Sequence, residues 1–512
     1  MTCRKSSQYS KGILICLIYV MLTLFPVFYL LFSGGKGDLK IWNARRAGLM
    51  VNSLITALFT VMTCLLIAVF SSLKIYTSFK KRPLLRWYFL LLAPVPSYIY
   101  ALSYMNLIRF AGRFFPGVLR CRMAGMFPCV LTESFAYLPL ALAAAHTALE
   151  GISEDEWNAA LLFDSADMVF FKVVLPKQMP WLLAAGALIF TLSVTDYSIP
   201  SLFQVNVYAM EIFSDYSAAG QSVYSLRLSL PLVLISTLII LISFYPLKSI
   251  PNAIKTGERV SPLYSSGLRT VCSFCVFLTA LQIILPLLSF VPYIIEPGEE
   301  LVSALPQLYN SLAAGMAAVI ILILPSALMA YHLTKEDTLC KPALWICALF
   351  PLCIPGVLTG IGLLGFVSST PLYVLRTGVI LPAVGLAIRY MPFSMLIQYG
   401  CYLRLDKDRI NAAGLLQNKC GKAFLKVQLP LMAPGLIVSS IAVLLLTLGD
   451  VGTSLVLMSA GREPMSVKIY NYLHYGSSEK VTCFCMMQTA VCLLLMITAY
   501  MVMGIAGKRR KS

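Results

Sequence analysis

Two aspartates occupy matching positions in long apolar runs, where a charged side chain is costly and therefore predicts a function. Asp196 stands in TLSVTDYSIP and Asp450 in LLTLGDVGTS. Each follows the proline that opens its run by about 20 residues, or about 30 Å along a helix, so we expect both near the same end of a helical bundle. Such a pair of carboxylates could bind a cationic or metal substrate. In the alternative interpretation, each aspartate caps a neighbouring helix or bonds to Thr195 or Thr453.

Two further charged residues, Glu133 and Arg389, fall within apolar runs at positions that do not match each other. They can pair with each other across an interface, or each can bond to nearby backbone, and both interpretations stay open. The three histidines, His146, His332 and His474, are far apart in the chain, and the cysteines lack zinc-site spacing. We therefore expect no resident metal, no cofactor and no catalytic centre, which argues against a membrane-embedded enzyme.

The elements that position these residues are predicted to be membrane-spanning helices. The chain has 512 residues, of which 59% are hydrophobic and 12% charged, whereas a soluble domain has about 25% charged residues. Apolar runs long enough to cross ~30 Å of hydrocarbon recur throughout. They predict an all-α polytopic membrane protein with twelve transmembrane helices, near 12–33, 49–73, 84–106, 125–147, 176–200, 227–247, 270–292, 310–331, 343–367, 377–399, 431–457 and 483–506.

The net charge of +18 is interpreted as a signal of topology and not of nucleic-acid binding. With both termini in the cytoplasm, Lys and Arg are about twice as frequent in the cytoplasmic loops as in the external ones, as the positive-inside rule requires. One loop does not follow the positive-inside rule, because 107–124 carries four arginines although the predicted topology places it outside. The partner that the composition itself predicts is the lipid bilayer.

The sequence also repeats itself at an offset of 253 to 259 residues. NSL at 52–54 returns at 310–312, YLP at 137–139 returns as YMP at 390–392, and FFKVVLP at 170–176 returns as FLKVQLP at 424–430. Several such matches in register predict two homologous halves, 1–247 and 270–512, joined by a cytoplasmic linker at 248–269. Because six spans is an even number, the halves are expected to be parallel six-helix repeats.

A polar segment follows the fourth predicted span of each half, in a cytoplasmic position. The first copy, NAALLFDSADMVFFKVVLP at 158–176, follows the pattern Ser153-x-x-Glu156, a capping box that predicts a helix start. Ala159, Ala160, Leu162 and Phe163 give this helix a stripe of small residues with a large apolar knob. The stripe can pack on the protein's own inner surface or dock on another protein, and two copies at matching positions favour docking.

These two segments resemble the EAA motif of binding-protein-dependent ABC transporter permeases. An alanine pair is followed, after about ten residues, by aromatic-x-K-V-x-L-P in both copies, and LCIPGVLTGIGLL is similar to the L-P-G-V-x-x-G segment of the same family. Two copies in one chain are typical of the fused permeases of the iron(III), thiamine and aminophosphonate importer group. Two departures stand out: Asn158 and Asn411 replace the acidic residue of the motif, and Asp164 and Gln417 stand where glycine is usual.

The resemblance implies the fold of a type I ABC importer permease, with coupling helices at about 153–170 and 406–423. The residues implied to contact the ATPase subunits are Asn158, Ala159, Ala160, Leu162 and Asp164 in the first copy, and Asn411, Ala412, Ala413, Leu415 and Gln417 in the second. The translocation path would involve Asp196, Asp450, Glu133 and Arg389. The chain itself offers no phosphate loop, since 414–423 departs from that motif in spacing and lacks its Ser or Thr.

The partners implied by the resemblance are two copies of a cytoplasmic ABC ATPase subunit and an extracytoplasmic solute-binding protein. The protein would lie in the bacterial inner membrane, with ferric iron as the first substrate candidate and thiamine or an aminophosphonate as others. The alternative function is a twelve-helix secondary transporter of the major facilitator type, which also has two parallel six-helix halves. The loop of that class between spans two and three is usually rich in glycine, whereas here it reads KIYTSFKKRPLLRW.

Overall fold

The computed structural model is all-helical throughout the residues that it describes, which are 2–32, 42–78, 95–114, 124–152, 154–220, 222–244, 265–290, 298–334, 341–403, 405, 429–475 and 478–509. We number the α-helices in chain order. The first ten are α1 (Thr2–Phe32), α2 (Ala44–Ser78), α3 (Ser97–Phe114), α4 (Met126–Glu150), α5 (Glu154–Leu161), α6 (Ala166–Val169), α7 (Leu175–Thr195), α8 (Ser198–Leu202), α9 (Tyr208–Ala219) and α10 (Ser222–Phe244). The others are α11 (Ser266–Phe290), α12 (Gly298–Thr334), α13 (Lys341–Leu349), α14 (Gly356–Ser368), α15 (Ile380–Leu403), α16 (Leu429–Leu448), α17 (Gly452–Leu457), α18 (Met465–Tyr475) and α19 (Ser478–Arg509).

Nine helices in the described ranges are long and apolar enough to cross a membrane, and a bent pair would make ten. The protein is therefore a multi-pass membrane protein, as the composition predicts. Of the other two predicted spans, 12–33 falls in α1, where the apolar helix Leu17–Phe32 is shorter. The span at 84–106 begins outside the described residues and continues into α3. The predicted count of twelve stays a prediction.

The predicted span at 343–367 is not one straight helix. Ala343–Cys353 and Gly356–Ser368 meet at an angle of 90°. Proline explains the break, because Pro351 and Pro355 supply no backbone N–H and their rings exclude a continuous helix. The bend begins α14 inside the bundle, where Gly356, Val357 and their neighbours up to Leu363 are buried.

The helices that begin the two predicted halves pack on the opposite half. Helix α1 packs mainly on α14 and α12, whereas α11 packs mainly on α2 and α3. One polar contact supports the second pairing, since the hydroxyls of Ser71 and Thr279 lie 3.0 Å apart inside the protein. The largest core cluster likewise combines residues from before and after the linker, including Tyr98, Tyr197 and Val357.

The NSL repeat in the sequence has a counterpart in the hydrogen bonds. The Ser53 hydroxyl accepts the backbone N–H of Tyr208 at 2.8 Å, and the Ser311 hydroxyl accepts that of Met465 at 2.7 Å. Tyr208 and Met465 are the first residues of α9 and α18. The preceding asparagines bond to carbonyls in the same two places, Asn52 to Asn206 and Asn310 to Glu463. Matching serines thus hold the starts of matching helices.

The predicted coupling helix at 153–170 is shorter in the structure. Helix α5 ends at Leu161, and 162–165 form a turn before α6. A π-helical segment, Phe170–Val174, then leads into α7. Ser153, which the capping box requires, lies outside the described residues.

Candidate functional site

Asp450 is a buried carboxylate that caps a short helix. Its Oδ1 accepts the backbone N–H groups of Thr453 at 2.9 Å and Ser454 at 3.0 Å, which are the second and third residues of α17. Its Oδ2 accepts the hydroxyls of Tyr390 at 3.0 Å and Thr453 at 3.3 Å. The N-terminus of a helix favours negative charge, since free N–H groups point at it. These donors therefore hold the carboxylate of Asp450 in a fixed position.

Arg389 is the cation next to this anion. It lies nine residues after the start of α15, about 14 Å along the helix axis, and its Nε is 3.2 Å from Asp450 Oδ2. The guanidinium reaches the break before α14, because a Cβ placed on Gly356 would lie 1.8 Å from Arg389 Nη1. Glycine is therefore required at this position by the close approach of the arginine, and the bend and the ion pair share one space.

Asp196 has the same capping role at the end of α7, with fewer partners. Its Oδ1 accepts the backbone N–H of Ser198 at 2.8 Å and the Ser198 hydroxyl at 2.6 Å. Ser198 begins α8, so both aspartates bond to the start of the helix that follows them. Asp196 is half-buried and lies within electrostatic range of both Arg389 and Asp450. The structure brings these three predicted residues together.

Two buried polar atoms beside this cluster have no hydrogen-bond partner among the described residues. They are the hydroxyl of Tyr197 and Oε1 of Glu133. The ring of Tyr197 approaches the turn that carries Asp450, with Cε1 3.5 Å from the place of a Cβ on Gly452. Oε2 of Glu133 accepts the hydroxyls of Thr60, at 3.2 Å, and Ser193.

The alternative in which Glu133 pairs with Arg389 is not what the structure shows. Arg389 bonds to Asp450, and Glu133 bonds to hydroxyls on α2 and α7. Capping of a neighbouring helix, the alternative for the aspartates, is confirmed for both. The bond to Thr453 is present, whereas Asp196 bonds to Ser198 in place of Thr195. Within the described ranges, no three His, Cys, Asp or Glu side chains converge as metal ligands.

Sequence reasoning did not single out Tyr390 or Tyr197 as members of this cluster. A signal for Tyr390 exists, because it opens the YMP triplet that repeats YLP at 137–139. Its first-copy counterpart, Tyr137, also lies within electrostatic range of Asp196 and Glu133. The tyrosine of each triplet therefore lies near the aspartate that follows it in the sequence: Tyr390 bonds to Asp450, and Tyr137 is within electrostatic range of Asp196.

The first polar segment forms a small element with one buried and one exposed face. Trp157 of α5 is 2% exposed, and Ala160 packs partly against the same core cluster. On the other face Asn158 and Ala159 are exposed. Leu162 and Phe163 follow in the turn, with 82% and 87% of their surface exposed. Ala160 thus packs on the protein's own core, whereas Leu162 and Phe163 are exposed, and docking on another protein stays a prediction.

Ion pairs fix this element from both ends. Lys172 Nζ lies 2.8 Å from Asp164 Oδ2, and Lys177 Nζ lies 2.5 Å from Glu156 Oε2. Asp164, which stands where the EAA motif usually has glycine, therefore ties the turn to the π-helical segment. The five residues implied for the second copy, Asn411, Ala412, Ala413, Leu415 and Gln417, lie outside the described residues.

Comparison with known proteins gives one partial similarity. The chain is 28% identical over 135 residues to a protein of Haemophilus influenzae whose name describes it as a ferric transport system permease protein, FbpB 1. The matched region covers 26% of this chain and 21% of that protein, so the chain matches about a fifth of its relative's length. No protein-family profile matches the chain.

Proposed function

We propose that this chain is the transmembrane permease of an ATP-driven, binding-protein-dependent ABC importer. The observation that carries the proposal is the small element at 154–164, which presents Ala159, Leu162 and Phe163 to solvent while Trp157 anchors it in the core. Exposed apolar side chains on a rigid base suit a protein contact. The distant similarity to a ferric transport permease supports the same assignment.

The proposal includes two homologous halves, and each half docks one ATPase subunit. The repeated sequence supports it, and so do the matching bonds of Ser53 to the start of α9 and of Ser311 to the start of α18. In this arrangement Asn158, Ala159, Leu162 and Asp164 form one contact, and the 411–417 segment forms the other. ATP is hydrolysed by the partner subunits, and both termini and both contacts face the cytoplasm of a bacterial cell.

The docking surface can be tested by purification of the chain from its native cells in mild detergent. We expect a soluble ATPase to co-purify with the wild-type chain. The ATPase should be lost from Ala159→Arg, since a long charged side chain would separate the two surfaces. Ala159 is a cleaner probe than Ala160, which packs partly on the core. Ala218→Arg is the matched control, because Ala218 is also exposed on a short helix, α9, that lies between spans.

The outcome that contradicts the proposal is equally clear. If no ATPase accompanies the wild-type chain, and the chain alone takes up solute when a proton gradient is imposed on liposomes, the facilitator alternative is correct. If Ala159→Arg retains as much ATPase as Ala218→Arg, docking lies elsewhere on the protein.

For the substrate we propose a cation, with ferric iron ahead of thiamine, and the anionic aminophosphonates last. Two carboxylates, Asp196 and Asp450, lie together with a single guanidinium inside the bundle, which favours positive charge. The measurement that checks the substrate is identification of the ligand carried by the binding protein that docks on this chain. A binding protein that carries an anion would contradict it.

A further inference from the structure

The position of Arg389 suggests that it does more than neutralise Asp450. A charged side chain deep in a membrane-spanning helix is costly unless it has a role, and this one fills the space at a 90° break between helices. The break, the guanidinium and the carboxylate are contributed by α14, α15 and the turn before α17. Arg389 therefore occupies the point where three elements of the second predicted half meet.

The two residues of the ion pair differ in how many other groups bond to them. Asp450 keeps four other donors, namely two backbone N–H groups and the hydroxyls of Tyr390 and Thr453. Arg389 has fewer partners: its Nε lies 3.2 Å from Asp450 Oδ2, and its guanidinium carbon lies 5.8 Å from the centroid of the Tyr390 ring. Removal of the guanidinium would thus leave Asp450 in place as a pre-organised anion, ready for another cation.

Two oxygen atoms near the ion pair have no hydrogen-bond partner among the described residues. Asp196 bonds through Oδ1, and none of the described residues bonds to its Oδ2. The Tyr197 hydroxyl is buried without a partner in the same part of the chain, within electrostatic range of Asp196, Asp450 and Arg389. A buried hydroxyl without a partner costs free energy, and this one can bond to a further group that enters the site.

From this arrangement we infer that Arg389 is a tethered cation that closes the translocation path, and that a hard substrate cation takes its place on Asp450 and Asp196. Hard multivalent cations prefer carboxylate and hydroxyl oxygens, which are the groups that the arginine leaves behind. In the state described here the guanidinium occupies the place of the cation, so the carboxylates do not converge as a resident metal site. The inference rests on the proposed function and names a gating residue within it.

The inference can be tested on the purified chain alone, with Tb³⁺ as the probe. Tb³⁺ is a hard trivalent ion whose luminescence is sensitised by nearby tyrosine, and Tyr390 and Tyr197 lie beside the site. Removal of one positive charge within a few Å should strengthen binding of a trivalent cation by about tenfold or more. We expect that gain in Arg389→Gln. Arg389→Lys, which keeps the charge, should bind Tb³⁺ as weakly as the wild type.

A second variant assigns the gain to this site. Asp450→Asn combined with Arg389→Gln should abolish it, since the amide oxygen can still cap α17 while the charge is gone. Asp196→Asn combined with Arg389→Gln should reduce it. The inference is overturned if Arg389→Gln binds no more tightly than the wild type, or if the gain survives both aspartate substitutions. Elution of each variant as a single species of native size shows that it is folded.

This test is independent of the ATPase. Failure of Ala159→Arg to release an ATPase would overturn the docking proposal without affecting Tb³⁺ binding. An unchanged Tb³⁺ affinity in Arg389→Gln would remove the gating role and leave the importer assignment intact. The two results therefore separate the inference from the function on which it rests.

Discussion

The two sequence-matched aspartates share one local role and differ in their surroundings. Asp196 and Asp450 each cap the short helix that follows. Asp450 is buried and forms an ion pair with Arg389, whereas Asp196 is half-buried and only within electrostatic range of that arginine. Tyr137 and Tyr390 are 253 residues apart, and at the same offset the residue that matches Arg389 is Ala136. A helix cap is thus present at both matched aspartates, and the ion pair is present at one of them.

A second matched pair differs in a complementary way. Pro96 lies 259 residues before Pro355, within the offsets of the sequence repeat, and it is followed by Ser97 where Pro355 is followed by Gly356. Gly356 leaves room for the guanidinium of Arg389, whereas Ala136, at the position that matches Arg389, has no guanidinium to accommodate. The glycine and the arginine therefore occur together at one set of matched sequence positions and are absent at the other.

The largest effect is expected when the two aspartates are compared by substitution with alanine. Asp450→Ala leaves Arg389 without its partner inside the bundle, at a cost of about 3–5 kcal/mol in the free energy of unfolding. Asp196→Ala removes a helix cap, at a cost of about 1 kcal/mol. Denaturant or thermal unfolding in detergent measures both. Equal losses would mean that the arginine does not distinguish the two sites.

The next effect concerns Gly356 and Ser97. Gly356→Ser places a Cβ on the guanidinium and must displace it from Asp450, with a loss of about 1–3 kcal/mol. The reciprocal change, Ser97→Gly, should cost less than about 1 kcal/mol, since it only adds chain freedom at a helix start. The same unfolding measurement checks the pair. If Gly356→Ser leaves the free energy of unfolding unchanged, the guanidinium of Arg389 can be accommodated in another position.

The serines of the NSL repeat should respond alike. Ser53→Ala and Ser311→Ala each leave a buried backbone N–H at the start of a helix without its acceptor, a loss of about 1–2 kcal/mol. Because the two bonds have matching geometry, we expect the two losses to agree within about 0.5 kcal/mol. Clearly unequal losses in the unfolding measurement would weaken the case for two homologous halves.

The smallest effect is expected at Glu133. Glu133→Gln keeps an oxygen that accepts the hydroxyls of Thr60 and Ser193 and removes a charge from the membrane interior. The free energy of unfolding should therefore change by less than about 1 kcal/mol. Because Glu133 bonds to hydroxyls and is not one of the carboxylates that we place on the cation, the affinity for Tb³⁺ should change by less than the roughly tenfold expected for Arg389→Gln. A large loss of either would mean that Glu133 belongs to the same centre.

Local features were predictable because they depend on near neighbours in sequence. The apolar runs predicted helices long enough to cross a membrane, and the repeated NSL triplet predicted matched positions whose hydrogen bonds match. The residues of α5 also predicted a helix with an apolar stripe. Which part of the stripe is exposed was left open, because that depends on how the helix sits against the core through Trp157.

What the sequence by itself determined is a multi-pass helical membrane protein, with charged residues at four places where membranes tolerate few. What only the tertiary structure decided is the partner of Arg389. Three carboxylates were available to it, and sequence separation favours none of them, because pairing in a bundle depends on distances across helices. The turn before α17 carries Asp450 to within 3.2 Å of the guanidinium, and Gly356 provides the space in which the arginine reaches it.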